Sequence, residues 1–338
     1  MAGTTRISDV AATAGVSVGT VSNVLNKPHL VAVATRERVI AAIEQLGFVR
    51  NESARQLRAG FSRAIGLVVI DASNPFFSDV ARGVEDAVES VGGVVLLGNS
   101  AGQAARERRY LELFEEQRVR GVLIAPLEDA VPPLGALTRL GIPVVFLDRH
   151  ADDSGYSSVS VDDVTGGTIA AGHLVAQGHR RLAFVGGPHS LRQVRERRQG
   201  AEAVVAATAD ASLVIVPTPG LTAAAGRLAA DELVALPPAA RPTAVFAAND
   251  LLAIGLLQGL GAHGLHVPQD MAIIGYDDID FAAVAGVPLS SVRQPRADLG
   301  RRGAEILFAE IEALESGRPI EHQHPRFQPD LVTRASTT

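Results

Sequence analysis

The feature that most constrains the fold is a repeated alternation of short apolar runs with helical stretches over residues 63–338. The nine runs are AIGLVVI (64–70), GVVLLGN (93–99), GVLIAP (121–126), PVVFLD (143–148), SVSVD (158–162), RLAFVGG (181–187), LVIVP (213–217), AVFAAN (244–249) and MAIIGYD (271–277). Continuous apolar strands joined by helices predict parallel sheets that are covered on both faces. Nine strands are too many for one tidy sheet, so we expect two. A ligand would then lie at the carboxyl ends of the strands.

The first sixty residues follow a different pattern, which predicts three short helices. Ser8 and Ser17 are positioned to cap the first two helices, and Gly15 to end the first. A third helix is expected to begin at Thr35 and to end at Gly47. The tight Gly-Val-Ser turn between the first two helices predicts a helix-turn-helix bundle. A generic three-helix domain with no role on DNA has the same pattern.

Charge and composition narrow the class of protein. Residues 1–60 carry seven Lys and Arg against four Asp and Glu, whereas the remainder carries 24 against 33. A basic module joined to an acidic body is typical of DNA-binding regulators. The chain has no Cys, which excludes disulfides and Cys-based zinc sites. The opening MAGTTRISDVAATAG lacks the apolar core of a signal peptide, and no stretch approaches a membrane span, so we expect a cytoplasmic protein.

Longer motifs carry a resemblance to a known family. ISDVAATAGVSVGTVSNVLN, TRERV, LGF and NESARQL resemble the headpiece and hinge of the LacI/GalR family of bacterial transcription regulators. ASNPFF, RRQG, AVFAAND, MAIIGYDD and VRQPRADLG resemble the sensor of that family.

The resemblance implies a fold of class α + α/β in three parts. A helix-turn-helix headpiece would occupy 1–50, a hinge helix and linker 51–62, and an effector-binding and dimerisation domain 63–338. That domain would have the fold of periplasmic binding proteins, with two Rossmann-like α/β lobes. The first lobe would span about 63–161 plus 293–326 and the second about 163–290 plus 328–338, with crossovers near 161–163 and 290–294.

The resemblance also implies that the second helix lies in the major groove of operator DNA. Val18 would pack on a thymine methyl group, Gly19 permits close approach, and Asn23 is the candidate for a hydrogen bond to adenine. Contacts to phosphates, which fix register without reading sequence, fall on Ser17, Thr20, Ser22, Asn26, Thr35 and Asn51. Ala54 and Leu57 of the hinge complete the DNA-binding set, and Leu57 would wedge into the central base step.

Position by position, the resemblance places an effector pocket between the lobes. Its residues are Phe76, Phe77, Asp148, Gln193, Arg197, Asn249 and Asp277. Carboxylate, amide and guanidinium groups recognise vicinal hydroxyls and an aromatic face packs on C–H bonds, so a sugar or polyol is expected. Leu221 stands where sugar-binding relatives often carry a large aromatic residue, which leaves a nucleoside, a smaller polyol or a phosphorylated sugar open. A protein partner in place of a small molecule is a further alternative.

No enzymatic function is predicted. His263 with His266 and His322 with His324 come nearest to metal-ligand spacing, but both pairs lie in segments typical of surface histidines. No phosphate-binding glycine motif follows a strand, and we expect neither a cofactor nor a metal. The expected protein is a homodimeric repressor under the control of an effector, which acts as inducer or co-repressor. HPRFQPDLVTRASTT has no leucine-heptad helix, so tetramers through such a tail are not expected.

Overall fold

A computed structural model describes residues 5–48, 62–127, 134–151 and 155–338. The chain divides into two compact units, residues 1–61 and 62–338. In the described part of the chain no helix is both long and apolar enough to cross a membrane.

Residues 5–48 of the first unit form three α-helices, with a 3₁₀ turn at Pro28–Leu30 between the second and the third. The helices are α1 (Ile7–Ala14), α2 (Val18–Asn26) and α3 (Val33–Leu46). Val10, Val21 and Val39, one from each helix, are fully buried and form the centre of a small core. The helix-turn-helix bundle that the sequence predicts is therefore present.

Two of the predicted helix starts are wrong. Ser17 caps α2 as expected, because its Oγ accepts a hydrogen bond from the Thr20 amide at 3.1 Å. In α1, however, Arg6 is the N-cap rather than Ser8, and the Asp9 carboxylate accepts from the Arg6 amide at 2.8 Å. In α3 the amides of residues 35 and 36 both donate to the Ala32 carbonyl, so the helix begins at Val33 and not at Thr35.

The second unit is built on two six-stranded sheets, as the number of apolar runs predicts. The first has the order β11-β5-β4-β3-β1-β2 and the second β12-β10-β9-β8-β6-β7. All nine predicted runs form strands, which are β1 (Ala64–Val69), β2 (Val94–Asn99), β3 (Gly121–Ile124), β4 (Val144–Leu147), β5 (Ser157–Val161), β6 (Arg181–Gly186), β7 (Ser212–Pro217), β8 (Ala244–Ala247) and β9 (Ala272–Asp277). Three further strands are β10 (Ser290–Arg293), β11 (Arg326–Phe327) and β12 (Asp330–Val332). Strand pairing is parallel except where β12 runs antiparallel to β10.

Helices follow most of the strands, and the inner strands β1, β3, β4, β8 and β9 are buried along their whole length. The helices are α4 (Pro75–Ser90), α5 (Ala104–Glu116), α6 (Gly135–Arg139), α7 (Asp163–Ala176), α8 (Arg192–Ala206), α9 (Ala223–Ala235), α10 (Asp250–Ala262), α11 (Asp280–Ala283) and α12 (Arg296–Glu315). We call the first sheet with its helices lobe 1 and the second lobe 2. The chain passes between them after β5, after β10, and between β11 and β12. α12, which follows β10, packs on α4 and on the first sheet, and so belongs to lobe 1.

Close packing of helix pairs depends on glycines without side chains. A Cβ at Gly83 of α4 would lie 2.0 Å from the Ala297 carbonyl oxygen of α12. A Cβ at Gly167 of α7 would lie 2.0 Å from the Arg197 carbonyl oxygen of α8. Because backbone atoms cannot move aside as a flexible side chain does, each pair of helices can approach this closely only with glycine. The second contact fixes the position of α8, which carries two of the predicted pocket residues.

Candidate functional site

The carboxyl ends of the strands bring together most of the predicted pocket residues. Asp148 follows β4, Asp277 ends β9, and Asn249 precedes α10 at the end of β8. Asp148 and Asp277 have φ angles of 54° and 103°, in the region that short polar residues such as Asp tolerate better than bulky ones. Backbone held in such conformations is concentrated at binding sites, where it aims side chains that a regular strand would point elsewhere.

Arg197 is the centre of this cluster. Its guanidinium is 3% exposed, its Nε donates to Asp163 Oδ1 at 2.7 Å, and its Nη1 donates to the Ala248 carbonyl at 2.8 Å. The guanidinium carbon lies 3.7 Å from the centroid of the Tyr276 ring. A second carboxylate, that of Asp277, lies 3.8 Å from Nη1. The cation is thus held in one orientation before any ligand arrives.

The cluster contains more acidic than basic groups. Burial raises the pKa of Asp277 to about 6, although Arg197 and a hydrogen bond from Gln294 act in the opposite direction. Burial also raises the pKa of Asp163, against the effect of Arg197, and raises that of Asp148 well above its usual value, with further contributions from neighbouring carboxylates. Arg197 faces three aspartates and has its own pKa raised by them, so it stays charged.

Two acceptor oxygens of this cluster are buried without a hydrogen-bond partner among the described residues. They are Asp148 Oδ1 and Gln294 Oε1. The other carboxylate oxygen of Asp148 accepts from Gln193 Nε2 at 3.2 Å, and this bond joins lobe 1 to lobe 2. Buried acceptors normally have partners, so these two oxygens are unusual and could accept hydrogen bonds from a bound molecule.

The other predicted pocket residues differ in their surroundings. Phe77 is 5% exposed and lines a cavity, whereas Phe76 is 2% exposed and packs edge-on against it, with ring centroids 5.0 Å apart. Asn249 is fully buried and makes two internal hydrogen bonds. Its Oδ1 accepts from the Leu252 amide at 3.0 Å as the N-cap of α10, and its Nδ2 donates to the Leu221 carbonyl at 3.2 Å. In this arrangement Asn249 supports the cavity wall at Leu221.

The cavity has a volume of about 360 Å³ and lies between the lobes. Lobe 1 contributes Ile70, Asp71, Asn74, Phe77, Ala101, Gly102, Ala104 and Leu127, and lobe 2 contributes Pro188, Ser190, Leu191, Pro219, Gly220, Leu221 and Thr222. Among these lining residues Phe77 is the one predicted pocket residue, and the polar lining residues Asp71, Asn74, Ser190 and Thr222 were not predicted. Asp71 and Asn74 follow β1, and a ligand at the carboxyl ends of parallel strands would lie near them.

The exposed face of α2 carries the predicted DNA-reading residues. Val18 is 46% exposed, and Gly19 and Asn23 are exposed as well, while the half-buried Thr20 and Ser22 flank them. Asn26 is exposed and its Nδ2 donates to the Ser22 carbonyl at 2.9 Å. The predicted phosphate-binding residue Thr35 lies half-buried on α3. The hinge residues Asn51, Ala54 and Leu57 lie outside the described residues.

The histidines that came nearest to metal spacing have other partners. His263 Nε2 lies 2.7 Å from Asp231 Oδ1, His322 Nδ1 lies 3.3 Å from Glu310 Oε1, and His324 Nδ1 lies 3.0 Å from Ser158 Oγ. Within the described ranges no group of three or more His, Asp or Glu side chains is arranged to hold a metal ion.

A helix-turn-helix unit followed by two α/β lobes with a cavity between them defines a class of transcription regulator with a periplasmic-binding-protein-like body. Residues 6–51 match the family described as bacterial regulatory proteins, lacI family, and residues 171–337 match the periplasmic binding protein-like domain. The chain belongs to the LacI family; it is a transcriptional repressor and not an enzyme.

Named relatives extend over nearly the whole chain. The HTH-type transcriptional repressor PurR of Aliivibrio fischeri (strain MJ11) is 33% identical over 98% of this chain and 97% of its own length. The ribose operon repressor of Bacillus subtilis (strain 168) is 37% identical over 90% of this chain and 91% of its own length.

Two solved structures are also similar. The lac repressor dimer bound to operator and the anti-inducer ONPF has a TM-score of 0.82 and 26% identity, with 99% of each chain covered. A LacI family regulator from Enterococcus faecium with bound ribose has a TM-score of 0.73 and 30% identity, over 81% of this chain and 98% of the other.

Proposed function

We propose that the operator affinity of this repressor is controlled by a neutral, hydroxyl-rich small molecule, a sugar or polyol, bound between the lobes. The observation that carries this proposal is the excess of buried carboxylates over cations. Asp148, Asp163 and Asp277 surround the buried guanidinium of Arg197, whose Nε and Nη1 already have partners, and Arg296 is a second cation that acts on Asp277. An anionic ligand would meet repulsion here, whereas hydroxyl groups would donate to the carboxylates. A phosphorylated sugar, which the sequence left open, is therefore disfavoured.

Each predicted pocket residue then has a role. Asp148 and Asp277 accept from ligand hydroxyls, and Gln193 and Arg197 orient those carboxylates and supply donors. The ring of Phe77 packs on the C–H face of the ligand, with Phe76 behind it, and Asn249 holds the wall that contains Leu221. The ribose operon repressor of Bacillus subtilis and the ribose-bound regulator of Enterococcus faecium support a neutral sugar as the ligand class.

On the DNA side we propose a headpiece of residues 1–50, a hinge of 51–62 and an effector-binding and dimerisation domain of 63–338. α2 would enter the major groove with Val18, Gly19 and Asn23 toward the bases, while neighbouring polar residues and Asn51 hold phosphates. Ala54 and Leu57 would contact the minor groove. A homodimer on a near-palindromic operator is supported by the similar lac repressor dimer, which was solved on its operator.

Effector and operator are coupled through the arrangement of the lobes. A ligand shifts operator affinity only as far as it binds one arrangement better than the other, typically about 1–3 kcal/mol. A ligand that favours the operator-binding arrangement is a co-repressor, and one that favours the other is an inducer.

Calorimetric titration of the full-length protein tests the ligand class. The panel contains neutral pentoses and hexoses, their phosphates, nucleosides and free bases. The proposal expects a neutral sugar or polyol to bind and its phosphate to bind at least about tenfold more weakly, a difference of about 1.4 kcal/mol. Binding of sugar phosphates in preference to the neutral sugars would contradict it, as would no binding across the whole carbohydrate set.

A nucleoside is the second candidate, and the lining of the cavity favours it. Phe77, Leu127, Leu191 and Leu221 give the cavity largely apolar walls, which suit a flat base attached to a sugar. In the same titrations this alternative predicts that a nucleoside binds more tightly than the free pentose.

A further inference from the structure

We propose that Arg192 is a positioning residue that holds the two lobes together across the cleft and thereby sets the affinity for the effector. Its Nη1 donates to the His150 carbonyl at 3.0 Å. Arg192 begins α8, which follows β6 of lobe 2, whereas His150 lies between β4 and β5 of lobe 1. The hydrogen bond therefore joins the lobes. This inference rests on the proposed function only for the choice of ligand.

The Arg192 guanidinium is fixed from a second side. Its Nε donates to Glu196 Oε1 at 2.5 Å, one helical turn along α8. One edge of the planar guanidinium is thus held by its own helix, and the other edge points toward lobe 1. Because the side chain is already ordered, the bond to lobe 1 costs little further conformational entropy. Sequence reasoning could not find this contact, because an Arg and a Glu four residues apart are typical of any exposed helix face.

The acceptor of this bond lies two residues after a predicted ligand-binding side chain. Asp148 and His150 belong to the same connection, and Gln193, the neighbour of Arg192, donates to Asp148 Oδ2 at 3.2 Å. Arg192 and Gln193 therefore fix both ends of a three-residue segment that carries a buried acceptor, Asp148 Oδ1. When the connection is held this way, the ligand meets a preformed site and loses no affinity to closing the lobes.

The same helix offers a matched control. Arg198 pairs with Glu202 at 2.7 Å with the same spacing of four residues, and its side chain is exposed to a similar extent as that of Arg192. Among the described residues the hydrogen bond of Arg198 goes to its own helix and reaches nothing in lobe 1. Substitution by Met removes one positive charge and one pair of residues four apart at both positions, so R198M controls for these two losses. R192M in addition removes the bond between the lobes and leaves the less exposed Glu196 unpaired.

Two measurements on the full-length protein test the proposal. Hydrogen–deuterium exchange without ligand should show the amides of residues 148–151 exchanging at least about fivefold faster in R192M, and at the wild-type rate in R198M. Titration with D-ribose should show about tenfold weaker binding in R192M alone, as expected for loss of one charge-assisted hydrogen bond at a partly exposed position. R192K keeps a hydrogen-bond donor, so it should show slower amide exchange and tighter ribose binding than R192M.

The outcomes separate this proposal from the proposed function. If R192M and R198M match in both exchange and ribose affinity, Arg192 does not hold the lobes and the inference is overturned. If wild-type protein does not bind ribose, the proposed ligand class is in doubt, while the exchange comparison still decides the role of Arg192. If R192M fails to fold by circular dichroism, E196Q replaces it. That variant frees the guanidinium and should give an intermediate increase in exchange, and wild-type exchange would overturn the inference.

Discussion

Substitution of Arg197 by Met should destabilise the second unit strongly. The guanidinium is 3% exposed, bonds to Asp163 and to the Ala248 carbonyl, and stacks on Tyr276. Met fills a similar volume but leaves the Asp163 carboxylate buried without its cation, which typically costs about 3–5 kcal/mol. The neighbouring R198M removes only an exposed helical pair, worth about 0.3–0.5 kcal/mol.

The loss of folding stability in R197M should also depend on pH. Burial already raises the pKa of Asp163 and Arg197 opposes this, so removal of the cation raises that pKa further. A carboxyl group with a raised pKa in the folded state favours folding at low pH, and its contribution is lost as the pH rises through the folded pKa. The difference in stability between R197M and wild type should therefore be larger at pH 8 than at pH 5.

Urea unfolding followed by tyrosine fluorescence measures this directly. All three tyrosines, Tyr110, Tyr156 and Tyr276, lie in the second unit, so the signal excludes the headpiece. The variants are compared at one protein concentration, because association of subunits also contributes to stability. If R197M unfolds within about 1 kcal/mol of R198M at pH 8, the buried network does not hold the site as described.

Three further predictions concern DNA binding, ligand binding and packing. Leu57→Ala should weaken operator binding in a mobility-shift assay and leave effector binding unchanged; equal operator affinity would refute the wedge. Because the pKa of Asp277 is about 6, this carboxyl takes up a proton as the pH is lowered from 7 to 5 and then loses acceptor strength. The affinity for a neutral sugar, measured by calorimetry, should therefore fall over this range, by at most about tenfold per pH unit. Asp277→Asn should flatten that profile, and an unchanged slope would exclude this carboxyl. Gly167→Ala should lower the free energy of unfolding by about 1–3 kcal/mol through overpacking. Gly172→Ala is the control and should not lower it, because a Cβ at Gly172 meets nothing within 4 Å. Equal effects of the two substitutions would argue against close packing of α7 on α8.

The strand pattern could be predicted from sequence because it is local. Each of the nine apolar runs is long enough to stand out against its flanking helices, and each forms a strand. β10 to β12 contain only two to four residues, and the segment Ser290–Arg293 contains two serines and an arginine, so no apolar run marks them. β10 pairs with β9, β11 with β5, and β12 with β10, and this pairing is set by tertiary structure rather than by propensity.

The site could be predicted in part, for the same physical reason. The family resemblance assigns Asp148 and Asp277 to the pocket, and both lie at the ends of apolar strands, where a ligand is expected. Asp163 accepts a hydrogen bond from Arg197, which lies 34 residues away in the sequence, and Gln294 donates to Asp277, which lies 17 residues away. Nothing in the local sequence indicates either bond. An asparagine such as Asn249 is suited both to binding a ligand and to capping a helix. Only the hydrogen bonds that Asn249 makes in the structure distinguish these two roles.

The central claim is that a neutral sugar or polyol in the cleft controls binding to one operator sequence. Selection of bound DNA from a random library by full-length protein, repeated with and without a pool of neutral sugars and polyols, tests it most directly. The account predicts a near-palindromic sequence with a fixed central step, enriched at least about fivefold more strongly in one of the two selections than in the other. Equal enrichment with and without the pool would contradict control by such a ligand, and no preferred sequence in either selection would contradict the assignment of α2 as the DNA-reading helix.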